Sequence, residues 1–149
     1  MLAPLVPAGT TLDSFDGQTF ISLVGFMFED TRVLGVPVPG HREFEEVNLR
    51  CYVRRHDPES GEVKRAVVFI REFITEHFWG YVTQRDGGTV EYQVEHPRWL
   101  AWRATDARLV GAVGEYYGAP FADVMAEPSH SAFVATGSDI VVRKPRRIA

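Results

Sequence analysis

Ten residues constrain this chain more than any others: Phe44, Glu45, Glu46, Val47, Asn48, Leu49, Arg50, Cys51, Tyr52 and Val53. Side chains of a β-strand alternate between two faces, and here the alternation sorts apolar from polar. Val47, Leu49, Cys51 and Val53 form one row, suited to a core. Glu46, Asn48, Arg50 and Tyr52 form the other, with Phe44 at its start. A carboxylate, an amide, a guanidinium and a phenol in line either face water or line a polar cavity. Which of the two applies decides what the chain can do.

The other bounds are broad. At 149 residues, 45% hydrophobic and 24% charged, the chain suits one soluble domain, residues 1–149, with a substantial core. A net charge of −4 leaves no general basic surface, so nucleic acid is not an expected partner. The basic run at 143–147 is short and reads as a solvated tail. A single cysteine, Cys51, excludes an intrachain disulfide and fits a reducing cytoplasm. It sits on the apolar row, where it acts as a small hydrophobe, with no evident base to activate it. No apolar run reaches the length of a membrane span, and residues 1–7 lack the basic segment and long apolar core of a signal peptide. The expectation is a cytoplasmic protein with no membrane partner.

Taken in order, the chain reads as many short strands. Residues 13–17 form a turn around Asp16-Gly17. Residues 19–28 form a strand apolar on both faces, which predicts burial on two sides. A short strand at 31–34 follows. Residues 35–40 read as a loop, because two prolines oppose ladder pairing. The central strand then leads through a polar loop, 54–62, into a strand at 63–73, giving an antiparallel hairpin. Residues 75–84 and 89–96 form a second hairpin around Asp86-Gly87-Gly88. A strand at 99–104, one helical turn at 120–125 beginning with proline, and a closing hairpin of 131–135 with 140–143 complete the pattern. Closely spaced strands of this kind argue for an antiparallel barrel or sandwich.

Two constellations carry chemistry. If the polar row faces inward, Glu46 and Arg50 can pair with each other, or Arg50 can take a substrate carboxylate in bidentate fashion. If it faces outward, the same residues are a solvated row with cross-strand partners. In the second hairpin, pairing Asp86 with Thr89 sets Trp79 opposite His96, Tyr81 opposite Val94 and Thr83 opposite Tyr92, with His77 on the same face. That cluster is either an aromatic-walled pocket with histidine for proton transfer or an aromatic patch that helps the hairpin pack. The five histidines (His41, His56, His77, His96, His130) lack zinc-site spacing, and residues 35–40 lack a phosphate-loop pattern. No metal and no cofactor are expected.

Several segments carry a resemblance. Leu5-Val6-Pro7-Ala8-Gly9, Leu12-Asp13-Ser14-Phe15-Asp16-Gly17 and Glu46 through Val53 resemble an uncharacterised bacterial family, the YqjF-like proteins. Val68 through Glu72, Thr75 through Tyr81, Val94-Glu95-His96-Pro97 and Ser131 through Ala135 look like further segments of it. The family is similar in fold to acetoacetate decarboxylase. The resemblance implies a mainly β protein: a curved antiparallel β-barrel or clam enclosing a small-molecule cavity, with one or two short helices. It also places a cavity-lining glutamate of the decarboxylase near Glu46. The decarboxylase works through an activated lysine that forms an imine. Its adjacent lysine pair falls in a segment missing here, where the only lysines are Lys64 and Lys144. The expected function is therefore a cavity for a small carbonyl or carboxylate compound, without Schiff-base chemistry. Candidate ligand-binding residues are Glu46, Asn48, Arg50, Tyr52, His77, Trp79, Tyr81 and His96. The alternative is a non-catalytic β module whose open sheet edges bind a protein partner or a second copy, giving a homo-oligomer.

Family members usually carry a further strand before the segment matching residues 2–7, and several dozen residues between the segments that abut here near 70–75. The apolar phase changes across that join: Val67 and Phe69 are in step with Arg71 and Phe73, Ala66 and Val68 with Glu72 and Ile74. This predicts a sharp bend, bulge or break between Ile70 and Thr75, with the two halves in different parts of the sheet.

Overall fold

The structure is a computed structural model that describes residues 1–40, 42–74, 90–91, 94–95, 97, 100–103, 118–144 and 146–148. They fall into two units, Met1–Val90 with Arg147–Ala149, and Glu91–Arg146. The described residues are mainly β, with a single short α-helix. None of their helices is long and apolar enough to cross a membrane.

The first unit contains β1 (Thr11–Leu12), β2 (Ile21–Phe28), β3 (Arg32–Val33), β4 (Val36–Pro37), β5 (Phe44–His56) and β6 (Val63–Ile74), after a 3-10 turn at Ala3–Leu5. β5 is the spine. β6 pairs along one edge of it, while β2 and then β1 pair along the other, all antiparallel. Leu49, Cys51 and Val53 are buried on one face, as the period of two requires. The β5–β6 hairpin is as expected. So is the turn at Asp16-Gly17, where both central residues have positive φ (50° and 76°) and Phe15 bridges Gln18, the geometry that suits right-twisted strands.

β5 runs three residues past the expected loop boundary, because its polar end is neutralised locally. Arg55 and Asp57 are buried. The Asp57 carboxylate lies 2.6 Å from Lys64 Nζ and 3.7 Å from Arg55 Nη2, and Arg55 is opposite Lys64 in the ladder. Asp57 also organises the turn itself: its Oδ1 accepts the Glu59 N–H at 3.1 Å, and its backbone exchanges bonds with Glu62 and Gly61. One aspartate thus closes the hairpin and offsets two cations.

The seam near residue 70 holds a bulge but not a change of neighbour. Leu49 pairs with Arg71 and Arg50 with Phe69, so Ile70 is the extra residue of β6. Both halves of β6 pair with β5, which corrects the expectation that they lie in different parts of the sheet. One inserted residue shifts the phase by one, so that Val67 and Phe69 come into step with Glu72 and Ile74, and Ala66 and Val68 with Arg71 and Phe73.

Three further expectations are corrected. Residues 36–37 are strand, pairing with Arg32–Val33 across Leu34-Gly35; a proline is tolerated in so short a pair at the sheet margin. β2 is not buried on two sides: Phe26 and Met27 are 37% and 52% exposed, because among the described residues β2 pairs only with β5. The closing segments do not form a hairpin together. β7 (Val90–Glu91), β8 (Val94–Glu95) and β9 (Ala101–Arg103) precede α1 (Phe121–Ala126), which Pro120 precedes, and β10 (Phe133–Ala135), β11 (Val141–Val142) and β12 (Arg146–Arg147) follow it. β10 pairs with β9, β11 with β8 and β12 with β7. Long-range ladders thus outcompete the local turn at 136–139, and Arg143 locks one of them with two bonds to Glu95 at 2.7 and 2.8 Å. No closed barrel is formed by the described strands. The hairpin expected at 75–96 lies largely outside the described residues.

The Asp57 cluster makes stability depend on acid. The bond from Lys64, then the Glu59 N–H, lower the Asp57 pKa from 3.8 to about 2. A carboxylate with a depressed folded-state pKa stabilises fully above its unfolded value, and that contribution fades as pH falls from about 4 towards 2. Asp57→Asn is expected to lower the urea midpoint at pH 7 and to flatten the wild-type loss between pH 4 and 2. Parallel midpoint-against-pH curves for the two proteins would contradict this.

Candidate functional site

The face of β5 opposite the core is neither solvated nor empty of partners. Antiparallel register sets Ser22 beside Arg50, Val24 beside Asn48, Phe26 beside Glu46 and Phe28 beside Phe44 on the β2 side. On the β6 side Val67 is beside Tyr52, Phe69 beside Arg50, Glu72 opposite Asn48 and Ile74 opposite Glu46 in the ladder. The polar row therefore runs down a channel with largely apolar banks. Asn48 is only 1% exposed, and Glu46, Arg50 and Tyr52 are half-buried.

Within the row the polar groups divide into two sets. Arg50 Nε donates to Ser22 Oγ at 3.1 Å, and the Ser22 and Tyr52 hydroxyls share a hydrogen bond of 2.8 Å. The guanidinium is thereby fixed through one nitrogen, leaving its planar terminal pair of N–H groups without a partner among the described residues. The second set is Asn48 and Glu46: Asn48 Nδ2 donates to Glu46 Oε1 at 3.1 Å. Asn48 Oδ1 is buried and has no hydrogen-bond partner among the described residues. Glu46 and Arg50 do not pair with each other, which removes one of the two uses open to them. Burial raises the Glu46 pKa, and the bond from Asn48 offsets that only in part.

At the Glu46 end the banks are aromatic. The rings of Phe26 and Phe28 meet edge-on at 4.9 Å between centroids, and Phe28 and Phe44 lie 4.7 Å apart. An open depression of about 280 Å³ is lined by Gly25, Phe26, Met27, Glu45, Glu46 and Val47; Gly25, Met27, Glu45 and Val47 alternate onto the face of Leu49 and Cys51, so it is not part of the polar row.

Of the eight candidate residues, the structure brings Glu46, Asn48, Arg50 and Tyr52 together. His77, Trp79, Tyr81 and His96 lie outside the described residues. Ser22, which links Arg50 to Tyr52, was not among the candidates. Its signal is a single hydroxyl in the otherwise apolar run of β2, in step with Phe26 and Phe28. Cys51 is fully buried on the opposite face, and burial pushes its thiol pKa up, as befits a core residue rather than a nucleophile. No group of three or more metal-ligating side chains occurs among the described residues.

Comparison with known proteins adds a family. A family model described as an uncharacterized conserved protein, DUF2071, matches residues 1–72 and again 70–139, so its two stretches meet at the seam beside the Ile70 bulge. The uncharacterized protein YqjF of Bacillus subtilis (strain 168) is 46% identical over 54 residues. That stretch is 36% of this chain and 22% of the relative, so the match spans about a fifth of the relative's length. No solved structure matches.

The desolvated Glu46 gives a stability test. A carboxyl whose folded-state pKa is raised opposes folding above that pKa, and the cost is relieved as pH falls towards the unfolded value of 4.5. Glu46→Gln keeps an acceptor for Asn48 Nδ2 and removes the charge. The variant is expected to unfold at or above the wild-type midpoint at pH 7, with the two curves converging near pH 4.5. A variant clearly less stable at pH 7 would mean that the carboxylate has a stabilising partner.

Proposed function

Because the chain belongs to the DUF2071 family of uncharacterised conserved proteins, whose description carries no activity, we propose from its geometry that the polar face of β5 binds a small carboxylate or carbonyl compound. One observation carries the reading: Arg50 is held by Ser22 through Nε alone, with its terminal N–H pair directed to no described group. A guanidinium fixed in this way presents the planar fork that matches a carboxylate, at little further entropic loss. Tyr52 completes the seat. The Arg50 N–H polarises the Ser22 hydroxyl, Ser22 can donate to Tyr52, and Tyr52 is then free to donate to a ligand oxygen. The half-buried setting strengthens each of these bonds relative to water.

The reading includes a curved antiparallel wall of the acetoacetate-decarboxylase-like type around this face, and it excludes imine chemistry. Lys64 supports the exclusion: its Nζ is ion-paired with Asp57 at 2.6 Å, whereas an imine requires a free, neutral amine. A second reading is a β module that binds a partner through its sheet edges. It is favoured by the exposed Phe26 and Met27 on β2, a strand paired on one edge only among the described residues.

Titration calorimetry with pyruvate separates the two. The wild type is expected to bind, and Arg50→Met to bind at least about tenfold more weakly, the loss of one good charge-assisted contact. Equal affinities, or no binding by a folded wild type, would overturn the carboxylate reading and leave the edge-binding module.

A further inference from the structure

The polar face has two chemically opposite ends. Arg50, Ser22 and Tyr52 make a donor-rich, cationic end. Four residues along the strand, Glu46 makes an anionic end beside the Phe26, Phe28 and Phe44 rings. Four residues of strand span about 13 Å between Cα atoms. Glu46 leans back towards Asn48 and Arg50 leans sideways to Ser22, so neither charge neutralises the other. The simplest way for one strand face to hold separated, unpaired charges of opposite sign is for a ligand to satisfy both.

We propose that the ligand of this face is a zwitterion whose charges sit at opposite ends of a short chain, an ω-amino carboxylate, with its carboxylate on Arg50 and its ammonium on Glu46. This rests on the carboxylate reading above and goes beyond it by assigning the second seat. Glu46 Oε1 already accepts from Asn48, and Oε2 has no described partner, so one oxygen of the carboxylate is available to an ammonium. Phe26, directly across from Glu46 in the ladder, is partly exposed and offers a ring to a cation, a contact that gains strength where water is excluded. Between the two seats lies Asn48, whose buried Oδ1 lacks a donor. An α-amino acid, with its charges adjacent, cannot reach both ends.

Binding of three probes to the full chain tests this: pentanoate, pentylammonium and 5-aminopentanoate. Wild type is expected to bind 5-aminopentanoate at least about tenfold tighter than pentanoate. Glu46→Gln should erase that preference and weaken pentylammonium, and Arg50→Met should weaken both acids but not pentylammonium. Equal affinity for the two acids, or a preference that survives in Glu46→Gln, overturns the cation seat and leaves the carboxylate reading standing. Failure of all three probes to bind overturns both. Circular dichroism of each variant keeps misfolding from passing as loss of a seat.

Discussion

A strand paired on both edges cannot rotate or slip, and β5 is paired on both edges over most of its length. With Leu49, Cys51 and Val53 sealed in the core, a shift of one residue would carry those three side chains out and drive charges in. Burying them contributes on the order of 1.5–3 kcal/mol for each large side chain. The position of Glu46, Asn48, Arg50 and Tyr52 follows from this. They share the other face because the period of two leaves them no alternative, and β2 and β6 then determine how much water reaches them.

The resulting face is costly in isolation. A buried acceptor without a donor, such as Asn48 Oδ1, costs about 1–3 kcal/mol. The Glu46 carboxylate is held against its preference for water. Elsewhere the buried Asp57 gathers Lys64, Arg55 and the Glu59 N–H, and at the surface Arg143 grips Glu95 through two bonds. The contrast is physical. Asp57 and Glu95 are bonded directly to cations, whereas Glu46 and Arg50 share a face without pairing.

How much of this was legible in the sequence depends on the range of the forces involved. The two faces of β5, its hairpin with β6 and the Asp16-Gly17 turn could be read, because alternation and positive-φ preferences are local. The end of β5 could not: Arg54, Arg55 and His56 look like loop until Asp57 is seen to offset the cations. The seam announced a change of phase, but a one-residue bulge was enough to absorb it. Strand partners in the second unit were misjudged because a local turn signal says nothing of ladders to strands far back along the chain. At the site, the row of four followed from parity alone. Its division into an Arg50–Ser22–Tyr52 set and a Glu46–Asn48 set depends on side-chain geometry across two strands, to which the sequence offered only a lone serine in an apolar run.

The central claim is that this polar face is kept for binding and does not stabilise the fold. Asn48 tests it most directly, since leucine has nearly its shape and neither its donor nor its acceptor. Removing the orphan acceptor takes away a cost, while the freed oxygen of half-buried Glu46 can be hydrated. The account predicts that Asn48→Leu melts at or above the wild-type temperature. A fall of about 2–4 °C or more, the equivalent of 1 kcal/mol for a chain of this size, would contradict it and make the polar row part of the framework.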